Sequence, residues 1–200
     1  MPSIHSVTVY CSSSRQVDGV YLAAADALGR GIARCGWSLV YGGNHIGCMA
    51  ALADGARAAN GKVVGITPQL LVDKGFADRK CTELLITPDI SQRKVLMASR
   101  GDAFIALPGG IGTLEEVFEI LVGRYLGCHT KPIVLLNIER FYEPLLSLLQ
   151  HGIDLKFNRD GLLDLLHVTD NVESALTYLQ QQNSLAQSPP QAQTPLPRIE

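Results

Sequence analysis

The 200-residue sequence has little net charge and no long apolar run. Its formal net charge is −2, and it lacks the clustered lysines and arginines with which proteins bind nucleic-acid phosphates, so we expect no nucleic-acid partner. No stretch approaches the roughly 20 apolar residues that span a bilayer, and the amino terminus lacks the basic and then apolar layout of a signal peptide. We therefore expect a cytoplasmic protein that does not bind membranes.

Paired metal ligands are missing as well. The sequence contains five cysteines, Cys11, Cys35, Cys48, Cys81 and Cys128. They are widely spaced and form no Cys-x-x-Cys pair, and the histidines show no metal-ligand spacing. We expect free thiols that are mostly buried, no metal site and no cofactor.

Short apolar runs alternate with amphipathic segments along the chain. The strand-like runs are Val7–Cys11, Ser38–Tyr41, Lys62–Ile66, Glu83–Thr87, Ala103–Leu107, Pro132–Leu136 and Leu166–Thr169. The helical patterns are Gly19–Cys35, Cys48–Asn60, Ile90–Arg100, Leu114–Tyr125, Tyr142–Gln150 and Val172–Gln181. This alternation predicts an α/β fold, a doubly wound parallel sheet with helices on both faces.

The composition fits one domain followed by a tail. Hydrophobic residues make up 46% of the chain and no repeats occur, so residues 1–182 are expected to form a single Rossmann-like domain with a substantial core. Beyond this point Gln, Ser and Pro dominate and the apolar periodicity stops. Residues 183–200 are therefore predicted to be disordered.

The most informative stretch is residues 108–116, which lies between a predicted strand and a predicted helix. Its glycines are Gly109, Gly110 and Gly112. Glycines let a ligand approach the backbone closely, and the first turn of the helix has free amide N–H groups. Such a loop favours a phosphate, with Thr113 beside it and the Glu116 carboxylate close by. It is neither a Gly-x-Gly-x-x-Gly fingerprint nor a P-loop.

Thr113 and Glu116 also fit a capping box, in which two side chains satisfy the free amides at the start of a helix. From spacing alone, this interpretation is at least as good as a catalytic role for Glu116. A cap has no need of Gly109 and Gly110 in front of it, however. Those glycines favour a ligand close to the backbone.

Two other loops follow predicted strands, at the edge where parallel sheets bind ligands. Residues 12–14 are three serines, among them Ser13. Their hydroxyls either donate hydrogen bonds to a phosphate or form a turn or helix cap, and the sequence favours neither interpretation. Residues 42–47 form a second glycine loop that includes Gly43. This loop strengthens the phosphate hypothesis, although alone it would fit a tight connection equally well.

A basic pair lies on the predicted helix that precedes the 108–116 loop. Arg93 and Lys94 either contact a ligand or lie on a solvated helix face, which is the usual position of such pairs. Met97, one turn further on, is most simply a core residue.

Several motifs occur together in this chain: Gly42-Gly43 with Gly47, Arg93-Lys94-x-x-Met97, and Pro108-Gly109-Gly110-x-Gly112-Thr113-x-x-Glu116. With them the chain resembles the LONELY GUY (LOG) family of cytokinin-activating phosphoribohydrolases over most of its length. The resemblance implies a Rossmann-like fold and a homodimer or larger homo-oligomer. It implies hydrolysis of cytokinin riboside 5′-monophosphates, and of AMP by some bacterial members, to free base and ribose 5-phosphate.

The resemblance also implies roles for individual residues. Arg93 and Glu116 would be catalytic. The substrate-binding residues would be Gly109, Gly110, Gly112 and Thr113 at the 5′-phosphate, with Ser13, Gly43, Lys94 and Met97 as further positions. A carboxylate at Glu116 would stabilise the positive charge that develops on ribose, and the guanidinium of Arg93, a poor proton donor, would act electrostatically.

The chain departs from the family pattern in two loops. Asn44 follows Gly42-Gly43 where a third glycine is usual, and Ser12 follows Cys11 where glycine is usual. These changes affect the ligand pocket and leave open which base is released. The older label of lysine decarboxylase is rejected, because nothing in the sequence resembles a pyridoxal-phosphate lysine site.

The alternative is a non-catalytic nucleotide- or cofactor-binding Rossmann-like protein, such as a molybdenum-cofactor carrier. A binding protein needs the glycine loops but not both Arg93 and Glu116. The presence of the pair favours an enzyme.

Overall fold

The computed structural model describes residues 3–187, in which seven strands form one sheet. The strands are β1 Ser6–Tyr10, β2 Ser38–Tyr41, β3 Val63–Pro68, β4 Glu83–Thr87, β5 Ala103–Ala106, β6 Ile133–Leu136 and β7 His167–Thr169. Each neighbouring pair is parallel, and the order is β4-β3-β2-β1-β5-β6-β7. The chain therefore starts in the middle of the sheet and winds outwards in both directions, which confirms the predicted fold.

Helices connect the strands and cover both faces of the sheet. They are α1 Gly19–Arg34, α2 Gly47–Ala58, α3 Gln69–Asp73, α4 Ile90–Arg100, α5 Ile111–Tyr125, α6 Glu143–Asp154 and α7 Val172–Gln187, with 3-10 turns at Ile138–Arg140 and Leu163–Leu165. Helices α1, α2 and α7 build the core on one face, and α4, α5 and α6 build it on the other. Within residues 3–187, none of the helices has the length and apolar character needed to cross a membrane.

The central strands are buried on both faces. In β1, Val7 and Val9 pack into the core under α1 and α2, whereas Tyr10 packs under α4 and α5. Such strands are apolar throughout instead of alternating, which is why they were recognisable as short runs. The buried hydroxyl of Thr8 donates to Met97 O at 2.9 Å and ties α4 to the middle of the sheet.

The end of the domain differs from the sequence prediction. Helix α7 continues to Gln187, so the predicted disorder is wrong for residues 183–187. The Asn183 side chain accepts a hydrogen bond from the Ile4 backbone N–H at 2.8 Å, a contact between distant parts of the chain that composition does not indicate. The rest of the predicted tail, residues 188–200, lies outside the described residues.

Candidate active site

A cavity of about 470 Å³ opens at the carboxyl ends of the central strands, beside the start of α5. Its polar lining includes Ser12, Ser13, Ser14, Asn44, Arg93, Thr113 and Glu116. Its apolar lining includes Met49, Pro68, Leu71 and Ile90. Strand β1 pairs with β2 on one side and β5 on the other, so the cavity lies where the winding of the sheet reverses, the usual ligand site of such folds.

Arg93 and Glu116 form a buried ion pair at this cavity. The side chain of Asp89 caps the start of α4 by accepting a hydrogen bond from Gln92 N, and Arg93 follows on the buried side of that helix. Arg93 Nη1 donates to Glu116 Oε1 at 2.9 Å, and Arg93 Nε donates to Ile66 O at 3.1 Å. Only 9% of Arg93 and 6% of Glu116 is exposed. Arg93 therefore does not lie on a solvated helix face.

Burial controls the protonation of Glu116. It raises the pKa of this carboxyl above the ordinary value of 4.5, and the guanidinium of Arg93 opposes the rise without cancelling it. The charge of Arg93 thus favours the ionised carboxylate, against the effect of burial. Two opposite charges fixed out of water act strongly on the charges of a bound ligand.

The capping-box interpretation of Thr113 and Glu116 is wrong. Helix α5 has Gly110 as its N-cap and begins at Ile111, so both side chains lie inside the helix, and no side chain caps its start. The Glu116 carboxylate is directed at Arg93 instead. The amides of the first turn are therefore left without a side-chain acceptor, beside the cavity that Gly110, Gly112 and Thr113 line.

The glycines of this loop have different roles. A Cβ built on Gly110 or Gly112 would have no protein atom within 4 Å, so the space in front of their backbone is open. A Cβ on Gly109 would lie 2.2 Å from Thr113 Oγ1. Gly109 is thus needed for the packing of Thr113 and is not among the residues that line the cavity.

The other two loops reach the same cavity, as predicted from their position after strands. Ser13 lines it. In the second loop Gly42 lines the cavity and Gly43 does not, and a Cβ on Gly42 would lie 2.2 Å from Arg93 Nη2. Gly42 is therefore required by the close approach of the guanidinium, a role that was not predicted from the sequence.

Lys94 and Met97 lie away from the cavity. Lys94 forms ion pairs with Glu115 and, at 3.1 Å, with Glu119, so it links α4 to α5 on the outer side. Met97 is 1% exposed and lies in the core under the sheet, as its simplest interpretation predicted. Neither residue lines the cavity, although Glu115, an ion-pair partner of Lys94, does.

The apolar wall of the cavity was not predicted from the sequence. Met49 comes from α2, Pro68 from the end of β3, Leu71 from α3, and Ile90 from the start of α4. Pro68 lies at the same carboxyl edge as the glycine loops, and that position was the only available signal. One wall suits an apolar, planar group, while the start of α5 suits an anion.

No group of three or more His, Cys, Asp or Glu side chains that could hold a metal ion occurs within residues 3–187. The cysteines are free thiols: Cys11 and Cys48 are buried, Cys35 and Cys81 half-buried, and Cys128 exposed.

Comparisons with known proteins agree with this geometry. A search of solved structures finds the molybdenum cofactor carrier protein of Chlamydomonas reinhardtii, with a TM-score of 0.69 and 24% identity over 89% of this chain and 97% of that one. At this identity the likeness establishes the fold: the protein is of the Rossmann-like α/β class.

Sequence comparisons identify the family. The family model described as "Possible lysine decarboxylase" matches residues 49–179. The chain is 42% identical over 179 residues to the cytokinin riboside 5′-monophosphate phosphoribohydrolase of Rhodococcoides fascians, covering 89% of this chain and 90% of that protein. It is 40% identical over 171 residues to the protein of the same name from Mycobacterium tuberculosis, covering 86% and 91%. The chain belongs to this family, the LOG family.

Proposed function

We propose that this protein hydrolyses the N-glycosidic bond of cytokinin riboside 5′-monophosphates, and of AMP, to release the free base and ribose 5-phosphate. The observation that carries the proposal is the buried pair of Arg93 and Glu116 beside the uncapped start of α5. The names of the two bacterial relatives support the same reaction.

The 5′-phosphate would bind at the start of α5. There the amides of the first turn and the positive end of the helix dipole lie beside the cavity, Thr113 lines it, and Gly110 and Gly112 leave the approach open. Ser13 would donate a further hydrogen bond from the first loop. Binding the phosphate fixes the ribose, so this remote contact lowers the barrier at the anomeric carbon as well as the KM.

Glu116 would act on the ribose. As the bond to the base breaks, positive charge develops on the sugar, and a carboxylate held within the cavity stabilises it. Water adds to the anomeric carbon as its bond to the base nitrogen breaks, and the departing base takes up the proton that the water loses, which gives free base and ribose 5-phosphate. The Glu116 carboxylate is also placed to orient that water.

Arg93 would supply positive charge. It opposes the rise in the pKa of Glu116 that burial causes, and so favours the ionised carboxylate. It also stabilises negative charge on the departing base or on the phosphate, whereas its high pKa makes it a poor proton donor. Burying the two charges costs desolvation energy, and the proposed reaction gives both of them a role.

We also propose that the protein acts as a cytoplasmic homodimer. Several apolar side chains on the α4 and α5 side of the sheet are exposed: Val95, Phe118, Val122 and Leu126. A second copy of the chain would cover them, which is the usual fate of such a patch. Free cysteines, including the exposed Cys128, suit a reducing compartment.

The reaction is tested by incubating the purified protein with nucleoside 5′-monophosphates that carry prenylated or plain adenine, and with the matching nucleosides. The proposal expects free base and ribose 5-phosphate from the nucleotides and almost none from the nucleosides. Absence of base from every nucleotide would overturn it.

A further inference from the structure

The loop between β2 and α2 is packed directly on the catalytic pair. Gly42 and Asn44 line the cavity, and the backbone at Gly42 lies against the guanidinium of Arg93. Gly42–Ile46 belongs to neither flanking element, so something else must hold it in place.

A segment from a different part of the chain holds this loop. The Gly43 carbonyl accepts a hydrogen bond from Asp78 N at 2.7 Å. His45 N donates to Phe76 O at 3.1 Å. Asn44 also forms an isolated antiparallel bridge with Ala77. Residues 76–78 thus pair with residues 43–45 as a short clamp.

The clamp is fixed by the Asp78 carboxylate, which is 2% exposed. Its Oδ2 accepts a hydrogen bond from Tyr41 Oη at 2.7 Å and another from Arg57 Nη1 at 2.8 Å. Its Oδ1 accepts from Lys80 N at 2.9 Å, which closes the turn. Tyr41 is the last residue of β2 and Arg57 lies in the last turn of α2, so one carboxylate connects both elements that flank the loop.

The charge of Asp78 matters to this arrangement. Burial alone would raise the pKa of Asp78, but the hydrogen bonds from Tyr41, Lys80 and Arg57 outweigh it and hold the pKa below its usual range. A buried carboxylate with satisfied partners is rigid, and removing its charge leaves donors without an acceptor.

We propose that Asp78 is a positioning residue of the active site: through Tyr41, Arg57 and its own backbone it fixes the Gly42–Ile46 loop against Arg93 and thereby shapes the substrate cavity. Asp78 does not line that cavity. The effect of Asp78 on substrate binding rests on the proposed function, whereas its effect on the loop does not.

The test compares Asp78→Asn with the matched control Asp54→Asn. Asparagine keeps the size of the side chain but supplies one acceptor oxygen where the carboxylate supplies two. Asp54 is the second ion-pair partner of Arg57, at 2.7 Å, and its exposed side chain lies outside the cavity. Asp54→Asn therefore removes one ion pair from the same arginine but leaves the Asp78 carboxylate and the clamp unchanged. Tyr41→Phe, which removes only the hydroxyl, replaces Asp78→Asn if that variant does not fold.

Hydrogen exchange, ligand binding and kinetics are measured on wild type, Asp78→Asn and Asp54→Asn. Because small displacements of positioning groups are costly, we expect Asp78→Asn to speed amide exchange in the 42–47 loop and to raise the KM for the nucleotide and the Kd for ribose 5-phosphate by about tenfold, with a smaller change in kcat. Asp54→Asn should behave as wild type. A purely structural role would lower the melting temperature and leave KM and Kd unchanged.

The outcomes separate this inference from the proposed function. If wild type hydrolyses no nucleotide, the proposed reaction fails, and loop exchange together with the Kd for ribose 5-phosphate still decides the role of Asp78. Wild-type exchange in Asp78→Asn, or faster exchange with unchanged KM and Kd, would overturn the inference.

Discussion

Glu116 and Arg93 are 23 residues apart in the sequence, and their side chains meet at 2.9 Å. The pair joins α5 to α4, and the bond from Arg93 Nε to Ile66 O joins it to β3 as well. The two charges are therefore fixed by three elements of the fold. A site whose charges are already in place loses little energy to reorganisation when the transition state forms.

The raised pKa of Glu116 predicts the acid limb of the pH profile. Protonation removes the negative charge that stabilises the ribose, so kcat/KM should fall as the pH drops through the pKa of Glu116. Since burial raises that pKa, the midpoint should lie above the ordinary value of 4.5. Rates measured across the acid range test this. A midpoint at or below 4.5 would contradict it, and the limb should be absent from Glu116→Gln.

The open space at Gly112 predicts that a substitution there weakens substrate binding without destabilising the fold. Gly112→Ala introduces a methyl group where no protein atom lies within 4 Å, so the fold should accept it, and helix propensity should stabilise the protein by up to about 1 kcal/mol. The same methyl group obstructs the phosphate, so the KM for the nucleotide should rise.

Gly19→Ala is the control for this variant. Gly19 is the first residue of α1 and has equally open space, but it does not line the cavity. Its alanine variant should keep the wild-type KM. An unchanged KM in Gly112→Ala would show that the phosphate does not bind at the start of α5.

The exposed apolar face predicts a dimer that a single charge disrupts. Val122 on α5 is 50% exposed, and an aspartate there would be buried without a partner at the interface. Light scattering should give a dimer mass for wild type and a monomer mass for Val122→Asp. Val20→Asp, on α1, should remain a dimer. A monomeric wild type at micromolar concentration would refute the assembly.

The sequence predicted the fold because the fold depends on local signals. The apolar run Ala103–Ala106 and the cap at Asp89 are visible without any knowledge of distant contacts. The end of α7 was not predictable in the same way, because it depends on the contact between Asn183 and Ile4.

The site was only partly predictable for the same reason. The glycine loop before α5 indicated an anion site, but spacing could not distinguish a capping box at Glu116 from an ion pair, because the partner, Arg93, comes from another helix. The clamp at Asp78 was invisible for the same reason. Tyr41, Arg57 and Asp78 have no common motif and meet only when β2, α2 and the turn after α3 pack together.

The most direct test of the account is the rate of base release by Glu116→Gln, measured together with its melting temperature. Glutamine keeps the shape of the side chain but lacks the charge that stabilises the ribose, so turnover should fall about 100-fold or more while the protein remains folded. Glu119→Gln, one turn along α5 and outside the cavity, is the control and should retain wild-type turnover. Near wild-type turnover in Glu116→Gln would contradict the catalytic role of the pair.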